Sequence, residues 1–152
     1  MRVNKTIQML IDISVDEIKI IESQIKQAIE NKHNAQQRLV MLENHYIEYV
    51  EQLRLRLSQG LTKIDYNNYN QFLSNLSKLI SDQVLVVQSN HDILELYQDS
   101  WKKTEHKRMK YNVLIERAKT NIMKHENKIE QKQSDEHSSI LMVRKNSENI
   151  YI

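Results

Sequence analysis

Proline and cysteine are absent from the 152-residue sequence, and glycine occurs once, as Gly60. Glycine and proline supply the backbone angles of tight turns, so a chain almost without them has few places to reverse direction. Sandwiches, barrels and doubly wound sheets need many reversals, and the composition excludes them. Without cysteine there is neither a disulfide framework nor a thiolate metal site, which fits a reducing compartment. Aromatic residues are scarce too, at 6 % against 28 % charged residues. That balance suits long solvated helices rather than a thick globular core. The longest apolar runs, such as Val84-Leu85-Val86-Val87, fall far short of the roughly 20 residues that cross a bilayer. Residues 1–13 lack the apolar core and cleavage site of a secretion signal. A soluble, cytosolic protein is expected.

What is present is a heptad repeat in each half. In the first half the stripe reads Ile7, Ile11, Ser14, Ile18, Ile21, Ile25, Ala28, Lys32, Ala35, Leu39, Leu42, Tyr46, Tyr49 and Leu53. Only Ser14 and Lys32 interrupt it. In the second half one edge runs Leu73, Ile80, Val87, Leu94, Trp101, Arg108, Ile115, Ile122, Ile129. Its companion edge is weaker and includes Leu76, Gln83, Asn90, Tyr97, His125 and Lys132. A period of about 3.5 residues sustained this long is what a coiled-coil seam requires. Gln83 and Asn90 either fix the register, as lone polar seam residues can, or mark a place where the seam drifts.

Between the halves lies Ser58-Gln59-Gly60-Leu61-Thr62. Gly60 fits the position after a helix end, and Thr62 or Asp65 can cap the helix that follows. The expected fold is all-α, a single domain forming a long antiparallel two-helix coiled-coil hairpin. It has a helix over about 4–58, a turn over about 59–63 and a helix over about 64–133. Order is expected to fade over 134–152. At 1.5 Å per residue these are rods of about 80 and 100 Å, and so short a turn forces antiparallel pairing within the chain.

Charge is balanced overall at +2, but residues 102–132 carry ten basic against four acidic side chains. Such an excess admits a nucleic-acid surface. The basic residues read as spread around the helix, with no DNA-binding motif beside them, which favours a solvated face. The six histidines are scattered, and Glu30 with His33 makes only one Glu-x-x-His. Di-iron bundles need two such motifs and two further carboxylates. No catalytic, cofactor or metal site emerges, and no enzyme is expected. The informative oddity is apolar surplus. Phe72, Leu79, Val86 and Ile93 each precede a strong seam residue, making that face too wide for one partner helix to cover. Local packing or a dimer would account for it, and so would a docking patch for a partner segment.

Three stretches go beyond heptad pattern. They are Leu39-Val40-Met41-Leu42 with Glu48-Tyr49; Gly60-Leu61-Thr62 leading into Asn68-Tyr69-Asn70-Gln71-Phe72-Leu73; and Ser100-Trp101 onward to Gln131-Lys132-Gln133-Ser134-Asp135-Glu136. With these the chain, from about Lys5 to Ile140, resembles the FliJ family, stalk proteins of the bacterial flagellar type III export apparatus. The resemblance implies a hairpin similar to the central stalk of rotary ATP synthases. Its chain ends are held in the pore of the hexameric export ATPase and promote ATP hydrolysis. Its surface contacts the transmembrane export gate protein FlhA, and it recycles export chaperones. It implies a cytoplasmic protein held peripherally at the inner membrane, at the flagellar base, with no membrane insertion and no nucleic acid.

Carried over by position, the implied gate-binding residues are Leu42, Tyr49, Phe72 and Leu76, while Arg38, His45, Leu79 and Gln83 depart from the family pattern. The heptad places Leu42 and Tyr49 in the seam, so either the seam rotates near the turn or these residues are partly structural. Implied ATPase contacts fall around Ile7, Met9 and Leu10, and around Asn127, Gln131 and Lys132. A virulence-injectisome stalk shares the architecture, and a purely structural coiled coil or homodimer is the alternative of another class.

Overall fold

The computed structural model describes residues 2–150, and it contains two helices packed against each other: α1, Arg2–Gln59, and α2, Lys63–Ile150. Among the described residues there is no strand. The reversal occupies three residues. Gly60 has φ of 96°, a left-handed conformation that a side chain makes costly. Its N–H donates to the Leu57 carbonyl at 3.4 Å, closing the last turn of α1. Of the two candidate caps, Thr62 takes the role: its Oγ1 accepts the Asp65 N–H at 3.2 Å. Asp65 instead places a carboxylate in the first turn of α2, where the helix dipole favours it. The Arg56 guanidinium lies 5.6 Å from the centre of the Tyr69 ring, a cation–π contact across the turn.

Residues 16–104 form one compact unit, which contains the turn. Its buried side chains are Ile18, Ala28, Ala35, Leu73, Leu76, Gln83 and Leu94, all on the heptad stripes read from the sequence. Pairing is antiparallel, since partners move back along α1 as they advance along α2. Tyr49 meets Phe72, Ala35 meets Gln83, Lys32 meets His91, and Glu22 meets Trp101. Gln83 is a register pin rather than a place of drift. Buried, it donates from Nε2 to the Ala35 carbonyl at 3.0 Å. An alanine at that position lets α2 come close enough for a side-chain amide to reach backbone.

Residues 2–15 and 105–150 fall in the second unit. Ile11, Ser14 and Ile115 are buried there, with Ile7, Arg108, Tyr111 and Ala118 half-buried. Ser14 interrupts the apolar stripe without cost, because its hydroxyl donates to the Leu10 carbonyl at 2.9 Å. From residue 119 onward every described residue of α2 is exposed. The heptad read through Ile122, His125, Ile129 and Lys132 therefore continues in sequence with nothing packed on it. The cause is length: α2 has 88 residues against 58 in α1. The helix also runs on through residues 134–150, where the sequence suggested loss of order. No glycine or proline stands there to stop it.

The turn yields a direct test. A Cβ on Gly60 would meet no atom within 4 Å, so the constraint is φ alone. Gly60→Val is expected to destabilise the fold by about 1–2 kcal/mol, and Gly60→Asn by clearly less, because asparagine tolerates the left-handed region. Thermal melts by circular dichroism distinguish them; equal melting of all three proteins would remove Gly60 from this role.

Candidate functional site

The residues implied as gate-binding lie on both sides of the turn, and the structure separates them by burial. Phe72 is 43 % exposed, whereas Leu76 is 6 % exposed. Leu76 thus sits within the seam and offers little surface to a partner. Leu42 and Tyr49 are half-buried, so the seam keeps its heptad course here and they contribute to it. Tyr49 also holds Phe72 in place. Their ring centroids are 4.4 Å apart and tilted by 45°, a geometry that adds about 0.5–1.5 kcal/mol beyond burial. One ring closes the seam edge and the other stands on it, partly in solvent.

Phe72 begins a line of exposed apolar side chains. Leu79, Val86 and Ile93 follow at seven-residue intervals and are likewise exposed. Each precedes a seam position, so the line flanks the seam as the sequence pattern suggested. A two-helix pair cannot fold such a line inward. Among the departing positions, Arg38 is exposed, His45 is exposed with Nδ1 3.7 Å from Glu48, and Gln83 is withdrawn into its bond with Ala35. At the other implied site, Ile7 is half-buried in the seam, and Met9, Leu10, Asn127, Gln131 and Lys132 are exposed.

Two polar contacts between the helices were not read from the sequence. The Lys32 Nζ donates to His91 Nδ1 at 3.1 Å, which explains how a lysine occupies a seam position: its stem lies along the seam and its head reaches the edge. Trp101 Nε1 donates to the Glu22 carboxylate at 3.3 Å. Both pairs join seam positions to flanking ones, a relation visible only once the register of α1 on α2 is known. The basic excess is also organised differently from expectation. Within residues 105–132 six of the eight basic side chains gather on one face, with the glutamates and the other two cations opposite.

Grooves along α2 are open to solvent and shallow, such as the one lined by His106, Met109, Lys110, Val113, Leu114 and Arg117. Among the described residues no three metal-ligating side chains come together, and Glu30 with His33 remains a solitary pair. The Arg54 guanidinium hydrogen-bonds Glu51 and holds its carboxyl below the usual range. Arg108 does the same to Glu105. Both are pairs three residues apart on one helix, an ordinary surface arrangement. Among the described residues no helix is long and apolar enough to cross a membrane. The geometry offers surfaces for other macromolecules.

Comparison with known proteins accords with that geometry. The flagellar FliJ protein of Escherichia coli (strain K12) is 28 % identical over 111 residues, covering 73 % of this chain and 76 % of that protein. The flagellar FliJ protein of Salmonella typhi is 26 % identical over the same length and shares. That of Buchnera aphidicola subsp. Schizaphis graminum is 28 % identical over 102 residues, 67 % of each chain. No solved structure matches significantly. The family model described as "Flagellar FliJ protein" matches residues 4–147, nearly the whole of both helices, and the chain therefore belongs to the flagellar FliJ protein family.

Proposed function

We propose that this chain is the stalk-like component of the flagellar protein export apparatus. In this reading its paired ends bind the hexameric export ATPase and stimulate hydrolysis. The turn-proximal surface contacts the export gate protein FlhA, and the hairpin returns empty export chaperones for reuse. It works at the cytoplasmic face of the inner membrane, at the flagellar base. Family membership supplies the setting, and the observation that carries the surface assignment is Phe72. It is a large aromatic, 43 % exposed, preorganised by the Tyr49 ring beneath it and continued by Leu79. Rigid aromatic anchors with an apolar surround are what binding hot spots are made of.

The four implied gate residues then divide their labour. Phe72 makes the contact, Tyr49 and Leu42 support it from the seam edge, and Leu76 holds the seam itself. At the ATPase, Met9, Leu10, Asn127, Gln131 and Lys132 present the contact surface, while Ile7 secures the end of α1. A single hairpin cannot satisfy six equivalent sites of a ring at once. Its contacts therefore differ from subunit to subunit and shift their conformational populations unequally.

Two experiments test this reading. Phe72→Ala is expected to keep the helical spectrum, lose about 1–2 kcal/mol of stability, and weaken binding to the cytoplasmic part of FlhA at least tenfold. Leu76→Ala is expected to cost about 2–4 kcal/mol of stability instead, as a large-to-small change in packed surroundings does. Reversed effects of the two substitutions would place the anchor in the seam and refute the surface assignment. Separately, the chain is expected to stimulate ATP hydrolysis by the cognate export ATPase at sub-saturating concentration. Stimulation should vanish when residues 1–10 and 120–152 are both removed. A folded hairpin that leaves hydrolysis unchanged would point to a scaffold.

A further inference from the structure

Within residues 105–132 of α2 there are eight basic side chains and four acidic ones. This stretch is one unbroken helix, so sequence position fixes direction around its axis at about 100° per residue. Lys107, Lys110, Arg117, Lys124, Lys128 and Lys132 fall within an arc of about 100°. Glu105, Glu116, Glu126 and Glu130 all fall on the opposite side, and the two remaining cations lie among them. Those two are ion-paired there: Arg108 to Glu105, and Lys119 to Glu116 at 3.9 Å. The helix has thus sorted its charges into an acidic face, where the four glutamates outnumber the two paired cations, and a cationic face free of carboxylates within this stretch. The α1 segment of the same unit adds one carboxylate, Asp12, which accepts a hydrogen bond from Gln8 at 3.1 Å.

All six residues of the cationic stripe are exposed. From Lys107 to Lys132 it is about 38 Å long, and it ends where Asp135 and Glu136 follow. Lys110, Arg117 and Lys124 repeat at seven-residue intervals, about 10 Å apart along the axis and so about one Debye length at physiological salt. A surface close to the stripe therefore senses these charges and not the protein's small net charge. Leu114 lies within the arc and Val113 at its edge, both exposed.

We propose that this stripe is a docking surface for anionic phospholipid. Five of the six cations are lysine. Lysine is a flexible point charge suited to a diffuse layer of headgroups, whereas arginine is favoured where a fixed phosphate or base must be gripped by a planar fork. A nearly straight row on one helix face matches a plane. Leu114 and Val113 between the charges match the boundary of headgroup and acyl chain, and offer nothing to a nucleic-acid backbone. No phenylalanine, tyrosine or tryptophan stands in the arc to stack on a base; its only rings are the imidazoles of His106 and His125, at its two margins. The helix rests at headgroup level without crossing, which is consistent with its length of apolar sequence. The stripe is separate from the Phe72 line, shares only Lys132 with the ATPase surface proposed above, and does not rest on the export reading.

The test is sedimentation of the full chain with vesicles of phosphatidylcholine, with and without one-third phosphatidylglycerol. It is run at about 0.05 M and about 0.5 M salt, which shortens the Debye length severalfold. The chain should sediment with the anionic vesicles at low salt only. The triple variant K110E/R117E/K124E should bind at least tenfold more weakly. K19E/K26E/K78E changes net charge equally at exposed positions away from the stripe and should bind within twofold of the parent. V113S/L114S should weaken vesicle binding severalfold while leaving binding to duplex DNA of the same ionic strength unchanged. K110Q/R117Q/K124Q guards against misfolding in the reversal variant, with circular dichroism checking both. No binding to anionic vesicles, equal loss in the two reversal variants, or tighter binding to the duplex than to vesicles would each overturn the proposal.

Discussion

Two helices alone can bury only one line of side chains each. Every feature of this molecule follows from that limit. Among the described residues the buried positions are few and fall on the seam, and none of the large side chains is fully enclosed. The apolar residues beyond the seam, from Ile20 on α1 to Leu96 on α2, stay in solvent because there is no third layer to receive them. A globular domain of the same composition would spend such residues on its core. Here they remain available to other molecules.

A seam this thin depends on polar residues for alignment. Apolar side chains repeating every few positions would pack almost as well after sliding by one heptad. The Gln83 amide donates to the carbonyl of Ala35, and sliding toward the turn would set it against the bulkier Leu42, where losing the bond costs about 1–3 kcal/mol. Lys32 with His91 and Trp101 with Glu22 add exposed, weaker preferences for the same register. The turn agrees, since Gly60 and Thr62 admit one short path between the helices. Local and long-range signals therefore select the same pairing, as a well-specified fold requires.

Much of this was legible in the residues. The stripes from Ile7 to Leu53 and from Leu73 to Ile115 carried the seam because periodicity is a one-dimensional signal that survives without coordinates. The single glycine located the turn. Ser14 looked like a defect only because its bond to the preceding turn of its own helix is invisible in a stripe count. What the pattern could not convey was where partners run out. Ile122 and Ile129 continue the heptad as well as Ile115 does, but burial depends on the reach of α1 rather than on α2. The heptad did separate Leu76, on the seam, from Phe72, beside it, whereas the resemblance carried over by position grouped the two together. The cationic face was within reach of the sequence, since Lys110, Arg117 and Lys124 recur every seven residues. Arg108 and Lys119, which lie among the glutamates, blur it in the sequence and make the cations look spread around the axis.

The unequal helices have a thermodynamic corollary. Beside α1, unwinding a turn of α2 means opening the seam, so its cost is shared with many residues. From residue 119 on, nothing is shared. There the helix is held by its own hydrogen bonds and side-chain propensities, which in water are marginal even over many residues. Its backbone amides should therefore exchange with solvent by local opening, at free energies far below that of the paired segment. One covalent helix thus carries two regimes, a cooperative one and an additive one. A partner that grips the additive stretch supplies the missing neighbour and can lengthen the cooperative block without disturbing a single contact in the seam.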